Sequence, residues 1–157
     1  MTDANNPEAK LIALGFTLPS APSPAGNYVS AKQVGNIVYL SGVISTGPEG
    51  VITGRAGADS TVDQGYAAAR ACALTLLAVL KRDLGSLDRV AEVVAVTGYV
   101  NAAPAFGDSP AIINGASDLL AEVFGDAGRH VRAALGFSAL PRNDLVEVQM
   151  TVRVNES

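Results

Sequence analysis

One arginine occupies a position where a charged side chain is unusual. Arg132 follows Val131 and precedes the small or apolar residues 133–135, so it lies inside a segment with the composition of a β-strand. A guanidinium stays charged at any working pH and is costly to bury without an anion. Strand alternation puts Arg132 and Ala134 on the same face of this strand. We therefore expect Arg132 to have an anionic partner.

Two kinds of partner fit Arg132, and the sequence leaves the choice between them open. The first is an internal carboxylate, and Glu147 on the polar face of the next strand is the obvious candidate. The second is a ligand, because a guanidinium can hold a carboxylate through two parallel hydrogen bonds. Arg132 thus predicts either a structural ion pair or a site for a small carboxylic acid.

Other reactive side chains are few. The single histidine, His130, and the single cysteine, Cys72, leave nothing for a histidine- or cysteine-rich metal cluster. Ser117, His130 and Asp118 could form a catalytic triad on paper, but no nucleophile-elbow motif accompanies them. We interpret His130 as hydrogen-bonded at the start of a strand, and Cys72 as an inert buried thiol.

Composition and charge bound the class of protein. A chain of 157 residues is most simply one domain, and one cysteine allows no intramolecular disulfide. The formal net charge of -4 repels phosphate backbones, so nucleic acid is not an expected partner. The sequence has no apolar run of transmembrane length, and residues 1–6 lack the regions of a signal peptide. We expect a cytoplasmic protein with no membrane partner.

The N-terminal part predicts a helix, a linker and a hairpin. Asn6 suits a helix start and Gly15 its end, and three prolines within residues 19–24 predict an extended linker. Two β-rich runs, 28–34 and 37–41, flank the turn-forming pair Gly35-Asn36 and predict the hairpin. The glycine-punctuated stretch 42–57 is predicted to be a loop with a short strand at 51–53.

Two long helices and three strands follow. Ser60 and Asp63 have the spacing of a capping box for the first helix, and Gly85 ends it. Ser109 and Pro110 predict a capping hydroxyl and a first-turn proline for the second. The predicted strands comprise an apolar run at 90–100, expected to be buried on both faces, a run at 131–137 and an alternating run at 145–154. This order predicts one α+β layer, a sheet with helices packed on one face.

Four segments, in this order, resemble the YjgF/RidA family and cover the chain from about Tyr28 to Val154. The most specific is Arg132 followed by Leu140-Pro141 and Glu147, because family members carry an arginine eight residues before that leucine and then a strand with the glutamate. The other three are Tyr28 with the run 35–42, Gln64 with residues 68–70 and Leu74, and the asparagine-containing run 114–120.

The resemblance implies a chorismate-mutase-like fold, with a mainly antiparallel sheet and two long helices on one face, usually in a homotrimer with pockets between subunits. In RidA proper the arginine grips the carboxylate of a 2-imino or 2-enamino acid, and water hydrolyses the imine to a keto acid and ammonia. Arg132 is then implied to bind the carboxylate and Glu147 to orient or activate the water, with no metal or cofactor. The ligand contacts implied by the resemblance are Tyr28, Ser41, Asn114 and Ala134.

The chain also departs from RidA proper. In these departures it resembles a divergent RidA-like, endoribonuclease L-PSP-like subfamily. Residues 1–25, the predicted helix and linker, are an addition to a single domain of residues 1–157, and Ala134 stands where RidA often has a cysteine. The leading hypothesis is an enamine/imine deaminase. The alternative is a non-catalytic binder of small carboxylates in the same cleft, followed by an endoribonuclease or translation inhibitor. Tyr28 and Ser41 could equally be plain strand residues, and Asn114 could serve its own helix or a neighbouring subunit.

Overall fold

The structure is a computed structural model that describes residues 6–156. The prediction about a signal peptide falls on residues 1–6, all but the last of which lie outside this range. The helices are α1 (Pro7–Ala13), α2 (Val62–Leu84) and α3 (Ser109–Phe124). The strands are β1 (Ala31–Val34), β2 (Ile37–Leu40), β3 (Val43–Ile44), β4 (Thr46–Gly47), β5 (Gly50–Val51), β6 (Val90–Asn101), β7 (Val131–Phe137) and β8 (Val146–Val154).

One sheet organises the molecule. Its strand order is β1-β2-β8-β6-β7, and β3 also pairs with β8. Only the β6–β7 pair is parallel; the other pairs of this sheet are antiparallel. Helix α2 packs against β8, and α3 packs against β6, β7 and α2. The predicted α+β layer, with a mainly antiparallel sheet and the long helices on one face, is confirmed.

The two faces of the sheet differ in burial. On β8 the alternate residues from Val146 to Val154 are buried beneath the helices, as the alternating sequence predicts. The prediction that the run 90–100 is buried on both faces is wrong. Along β6, Val96 and Val100 are buried, whereas Thr97 and Tyr99 on the opposite face are only partly covered.

In residues 6–156 no helix combines the length and apolar character needed to cross a bilayer.

The helix starts differ from the predicted ones by one residue. Helix α2 begins after Thr61, whose hydroxyl accepts from the Gln64 N–H at 3.1 Å while the Thr61 N–H donates to the Gln64 side chain at 2.8 Å. Ser60 instead donates to the Asp59 carboxylate. Ser109 is the first residue of α3 rather than its cap, and no side chain caps that helix. A capping box shifted by one residue has nearly the same sequence signature.

The glycine-rich stretch 42–57 contains three short strands where the sequence predicts one. Strands β4 and β5 form a small hairpin, and β3 joins the main sheet. Of the predicted strand at 51–53, only Val51 lies in a strand. The first hairpin is shorter than predicted because residues 28–30 precede β1, and its turn places Gly35 at a positive φ of 62°. The N-terminal helix and the irregular proline linker are where the sequence predicts them.

The contact between the two long helices predicts a strong effect of one methyl group. A Cβ on Gly115 would overlap the backbone carbonyl oxygen of Tyr66 in α2, and backbone cannot move aside as a side chain can. We expect Gly115→Ala to lower the free energy of unfolding by about 1–3 kcal/mol, measured by urea denaturation. Gly107→Ala is the matched control, because its Cβ would meet nothing within 4 Å. Equal midpoints for the two variants would contradict this close helix contact.

Candidate functional site

Arg132 lies on the edge strand β7, and its side chain lies on the same face of the sheet as α3. Its register partner on β6 is the buried Val96, which fixes that face. One guanidinium nitrogen, Nη1, donates to Asn114 Oδ1 at 2.7 Å and to Ser117 Oγ at 3.2 Å. Arg132 is exposed although the strand sequence around it is apolar. The reason is that an edge strand leaves one side open even when its sequence is apolar.

The two hydrogen bonds leave one edge of the guanidinium free. Nη1 carries two hydrogens, and both are used by α3. Among residues 6–156, Nε and Nη2 of Arg132 have no hydrogen-bond acceptor and no carboxylate partner. Nε–H and one Nη2–H point in the same direction and match the two oxygens of a carboxylate. Arg132 is therefore fixed on one side and open to an anion on the other.

Ser117 and His130 form a second hydrogen-bonded pair beside Arg132. The Ser117 hydroxyl lies 2.9 Å from His130 Nε2, and His130 Nδ1 lies 2.7 Å from the Gly128 carbonyl oxygen. Asp118 does not join them; it accepts from the Tyr66 hydroxyl at 2.7 Å, which raises the pKa of Tyr66. The triad alternative is therefore wrong, and the prediction that His130 is hydrogen-bonded at the start of a strand is confirmed.

Glu147 lies on the opposite face of the sheet from Arg132. Its register partner is Tyr99, which also pairs with Leu135 of β7, so these three side chains share the face away from the helices. Strand β6 also separates β7 from β8. The predicted internal ion pair between Arg132 and Glu147 is therefore wrong, because strand alternation places the two side chains on opposite faces of the sheet.

Glu147 lines a cavity of about 980 Å³ at the other end of the sheet, between the proline linker, β3–β5 and α2. The carboxylate lies close to Gly42, where a Cβ would be 2.9 Å from Oε2. Burial raises the pKa of the Glu147 carboxyl. Within residues 6–156 it has no cation within ion-pair distance. Carboxyl groups with perturbed pKa values cluster at functional sites, so Glu147 is a candidate site residue.

Tyr28 and Ser41 also line this cavity. Both hydroxyl groups are hydrogen-bonded to backbone groups of the segment that follows the proline linker. The Ser41 hydroxyl donates to the Val29 carbonyl at 2.7 Å, and the Tyr28 hydroxyl accepts from the Ala25 N–H at 3.2 Å. Tyr28 remains 50% exposed. Both residues therefore hold the linker beside the cavity. Ala134 packs partly buried on the face that carries Arg132.

The six predicted site residues thus fall into two groups within one protomer. Arg132, Asn114 and Ala134 form the guanidinium group on β7 and α3. Tyr28, Ser41 and Glu147 form the carboxylate group at the cavity. Among the described residues no set of three or more His, Cys, Asp or Glu side chains is arranged to hold a metal ion. Within one protomer these two groups do not meet.

Burial raises the pKa values of two side chains near Glu147, the carboxyl of Asp144 and the thiol of Cys72. The Asp144 side chain is 0% exposed, and in the described residues neither of its oxygens has a hydrogen-bond partner. Burial, and secondly the charge of Glu147, raise the pKa of Asp144 to about 7. Cys72 is fully buried, which confirms the burial predicted for it, and burial raises the pKa of its thiol. The sequence carries no signal for the buried position of Asp144.

Asp144 makes stability depend on pH. Its folded-state pKa of about 7 exceeds the ordinary value of an unfolded aspartate, so its contribution to stability is complete at low pH and is lost as pH rises to about 7. We expect Asp144→Asn to be more stable than wild type at pH 8, by at most about 4 kcal/mol, with the difference shrinking toward pH 4. Thermal unfolding at both pH values measures this; Asp88→Asn, at an exposed position, is the control. A difference independent of pH would contradict the raised pKa.

Comparison with known proteins identifies the family of the chain. The sequence model of the YjgF/chorismate-mutase-like endoribonuclease family matches residues 8–154. The chain belongs to the YjgF/RidA family. The crystal structure of Atu1372 from Agrobacterium tumefaciens is similar to this chain, with a TM-score of 0.88, 39% identity, and coverage of 95% of this chain and 92% of that one. The crystal structure of a Shewanella oneidensis protein that is named an endoribonuclease has a TM-score of 0.91 with this chain. The two sequences are 35% identical, and the match covers 95% of this chain and 99% of that one.

Two sequences similar to this chain carry different names. Protein TCP17 from Trypanosoma cruzi is 44% identical over 149 residues, covering 94% of this chain and 93% of the relative. A Dermatophagoides farinae protein named 2-iminobutanoate/2-iminopropanoate deaminase is 32% identical over 137 residues, covering 87% of this chain and 93% of the relative. The predicted family and its chorismate-mutase-like fold are therefore confirmed.

Proposed function

We propose that this protein is an enamine/imine deaminase that hydrolyses 2-imino acids to 2-keto acids and ammonia. The observation that carries the proposal is the state of Arg132: Nη1 is fixed by Asn114 and Ser117, and the Nε/Nη2 edge is free. A guanidinium presented in this way favours a small carboxylate ligand. The deaminase name of the Dermatophagoides farinae relative supports the choice of reaction.

The proposed reaction needs little beyond positioning. An imine carbon is already electrophilic, so the protein has to hold the carboxylate, place a water and accept one proton. Arg132 binds the substrate carboxylate, and Glu147 takes a proton from the water as the water oxygen bonds to the imine carbon. Glu147 gives this proton to the imine nitrogen as the C=N double bond becomes a single bond. The hydroxyl proton of the resulting amino alcohol then passes through Glu147 to the amine nitrogen, the C–N bond breaks, and ammonia leaves the keto acid. The raised pKa of Glu147 makes it a better base than an ordinary carboxylate.

A second copy of the chain is proposed to complete the site. Arg132 and Glu147 lie on opposite faces of one sheet, so one protomer cannot bring them to the same substrate. The helix-free face and edge of the sheet carry exposed apolar side chains, including Val131 (71% exposed), Leu135 and Tyr39. Exposed apolar surface of this kind marks an interface. A homotrimer is the proposed assembly, and sedimentation velocity showing a monomer at micromolar concentration would contradict it.

The activity is tested by coupling the purified protein to an amino-acid oxidase or dehydratase that releases short-lived 2-imino acids. We expect keto acid to appear faster than in buffer, and only in the presence of the protein. Several imino acids with aliphatic and aromatic side chains define the substrate class. No acceleration with any of them would count against a deaminase.

The second candidate is a non-catalytic binder of small carboxylates. The favouring observation is that the guanidinium group is preorganised within one protomer, whereas Glu147 is not within its reach. A binder needs only the first group. Calorimetric binding of a 2-keto acid, together with no turnover of any imino acid, would favour this candidate over the deaminase.

A further inference from the structure

The chain of hydrogen bonds that includes His130 has a defined direction. The Gly128 carbonyl oxygen can only accept, so His130 Nδ1 must carry the hydrogen of their 2.7 Å contact. In the neutral ring Nε2 is then an acceptor, and the Ser117 hydroxyl must donate to it across 2.9 Å. The lone pairs of Ser117 Oγ remain for the Arg132 N–H at 3.2 Å. One backbone carbonyl thereby sets the orientation of every group up to the guanidinium.

This series of hydrogen bonds supplies, through Ser117, one of the two contacts that fix Nη1 of Arg132. Asn114 accepts the other hydrogen, from one helical turn earlier on the same face of α3. With both hydrogens held, the guanidinium cannot rotate about its Cζ–Nε bond without losing a hydrogen bond. The open Nε/Nη2 edge therefore keeps a single orientation, which lowers the entropic cost of binding a carboxylate.

We propose that Ser117 and His130 are positioning residues for Arg132, which hold its Nε/Nη2 edge in the orientation that binds a carboxylate. The inference rests on the proposed function, because it assumes that Arg132 binds the substrate carboxylate. If the hydrogen-bonded chain is broken at Ser117 or at His130, Nη1 keeps only its fixed contact with Asn114. The guanidinium edge then gains freedom that carboxylate binding has to remove, so binding becomes weaker.

Few other charges act on His130. On α3, Asp118 lies in the same cleft of about 350 Å³ but is bonded to Tyr66. On the turn 125–128, Asp126 lies 4.0 Å from Arg129, and both side chains are exposed to solvent. On β7 the facing charge is Arg132, which shares the Ser117 hydroxyl with His130. Of the charges in this cleft, the Arg132 guanidinium is the one that the His130 chain reaches.

The proposal predicts that loss of Ser117 or His130 acts on substrate binding more than on turnover. KM for an imino acid should rise by a larger factor than kcat falls, because the Arg132 edge is disturbed while Glu147 is untouched. A KM that changes more than kcat is not expected from residues that only stabilise the fold.

The experiment is calorimetric titration of the full-length protein with 2-oxobutanoate at pH 6 and pH 8. We expect Ser117→Ala to weaken binding about five- to tenfold, because one hydrogen bond to a charged group is lost, and Ser117→Thr to restore it. His130→Gln should bind more weakly than wild type at both pH values, because a flexible amide does not reproduce the two fixed contacts of the ring. Ser138→Ala, at an exposed serine away from the cleft, is the control.

Distinct results overturn the inference and the proposed function. If Ser117→Ala and His130→Gln bind 2-oxobutanoate as wild type does at both pH values, the positioning role is wrong while carboxylate binding by Arg132 stands. If wild type binds no keto acid, both fail. Should either variant not fold, nitrogen NMR of labelled histidine in wild type decides: a neutral ring with its hydrogen on Nδ1 supports the inference. A ring protonated at Nε2 overturns it.

Discussion

Replacing Arg132 by alanine is expected to lower kcat/KM for imino acids by about 100- to 10,000-fold. Two hydrogen bonds to a charged group are lost, each contributing about 1.5–3 kcal/mol, and every 1.4 kcal/mol is tenfold. Stability should change by less than about 0.5 kcal/mol, because Arg132 is exposed and has no ion pair in the described residues. The coupled keto-acid assay and thermal unfolding measure the two quantities.

Arg129→Ala is the matched control for this variant. Arg129 lies in the same cleft, three residues before Arg132, but its side chain is 81% exposed and lies 4.0 Å from Asp126. We expect it to retain kcat/KM within a few-fold, as expected for a weak surface charge. Arg132→Lys keeps the charge but loses the bidentate edge, so it should restore only a small part of the activity. Full activity in Arg132→Ala would remove the carboxylate anchor from the account.

Replacing Glu147 by glutamine is expected to reduce kcat by about 100- to 10,000-fold, the usual contribution of a positioned base. Affinity for 2-oxobutanoate should be retained, because Arg132 and not Glu147 holds the carboxylate. Burial raises the pKa of Glu147, so wild-type kcat should fall with decreasing pH at a higher pH than an ordinary glutamate would give. The residual activity of Glu147→Gln should lack this acidic limb.

Glu92→Gln provides the comparison for Glu147. Glu92 is paired with Arg153 at 3.0 Å on the same sheet, so the substitution removes a carboxylate of similar exposure but with a partner. We expect wild-type kcat and the wild-type acidic limb in this variant. Steady-state kinetics from pH 5 to pH 9 tests both substitutions. An acidic limb that persists in Glu147→Gln would assign the titrating group to another residue, of which Asp144 is the nearest raised carboxyl.

Much of the fold follows from local patterns in the sequence. The alternation of residues 146–154 and the helical spacing up to Gly85 each depend on neighbours a few residues apart, so β8 and α2 are predicted closely. The strands within 42–57 are two residues long, and β3 exists only because it pairs with β8, about a hundred residues away. No local pattern contains that information.

The site shows the same division between local and non-local information. The alternation of β7 correctly places Arg132 with Ala134, and the resemblance indicates the importance of Glu147. Whether Arg132 and Glu147 share a face depends on β6 lying between β7 and β8, which the sequence does not reveal. The hydrogen bonds of Ser117 and His130 likewise join α3 to the start of β7. Their separation of thirteen residues gives no periodic signal.

The central claim, that Arg132 of one copy and Glu147 of another share a site, is tested most directly by mixing two inactive variants. Arg132→Ala and Glu147→Gln are refolded together in equal amounts, and keto-acid formation from an imino acid is measured. Random assembly places both intact residues in about a quarter of the sites, so the mixture should recover about a quarter of wild-type activity. A mixture as inactive as either variant alone would contradict a site shared between copies.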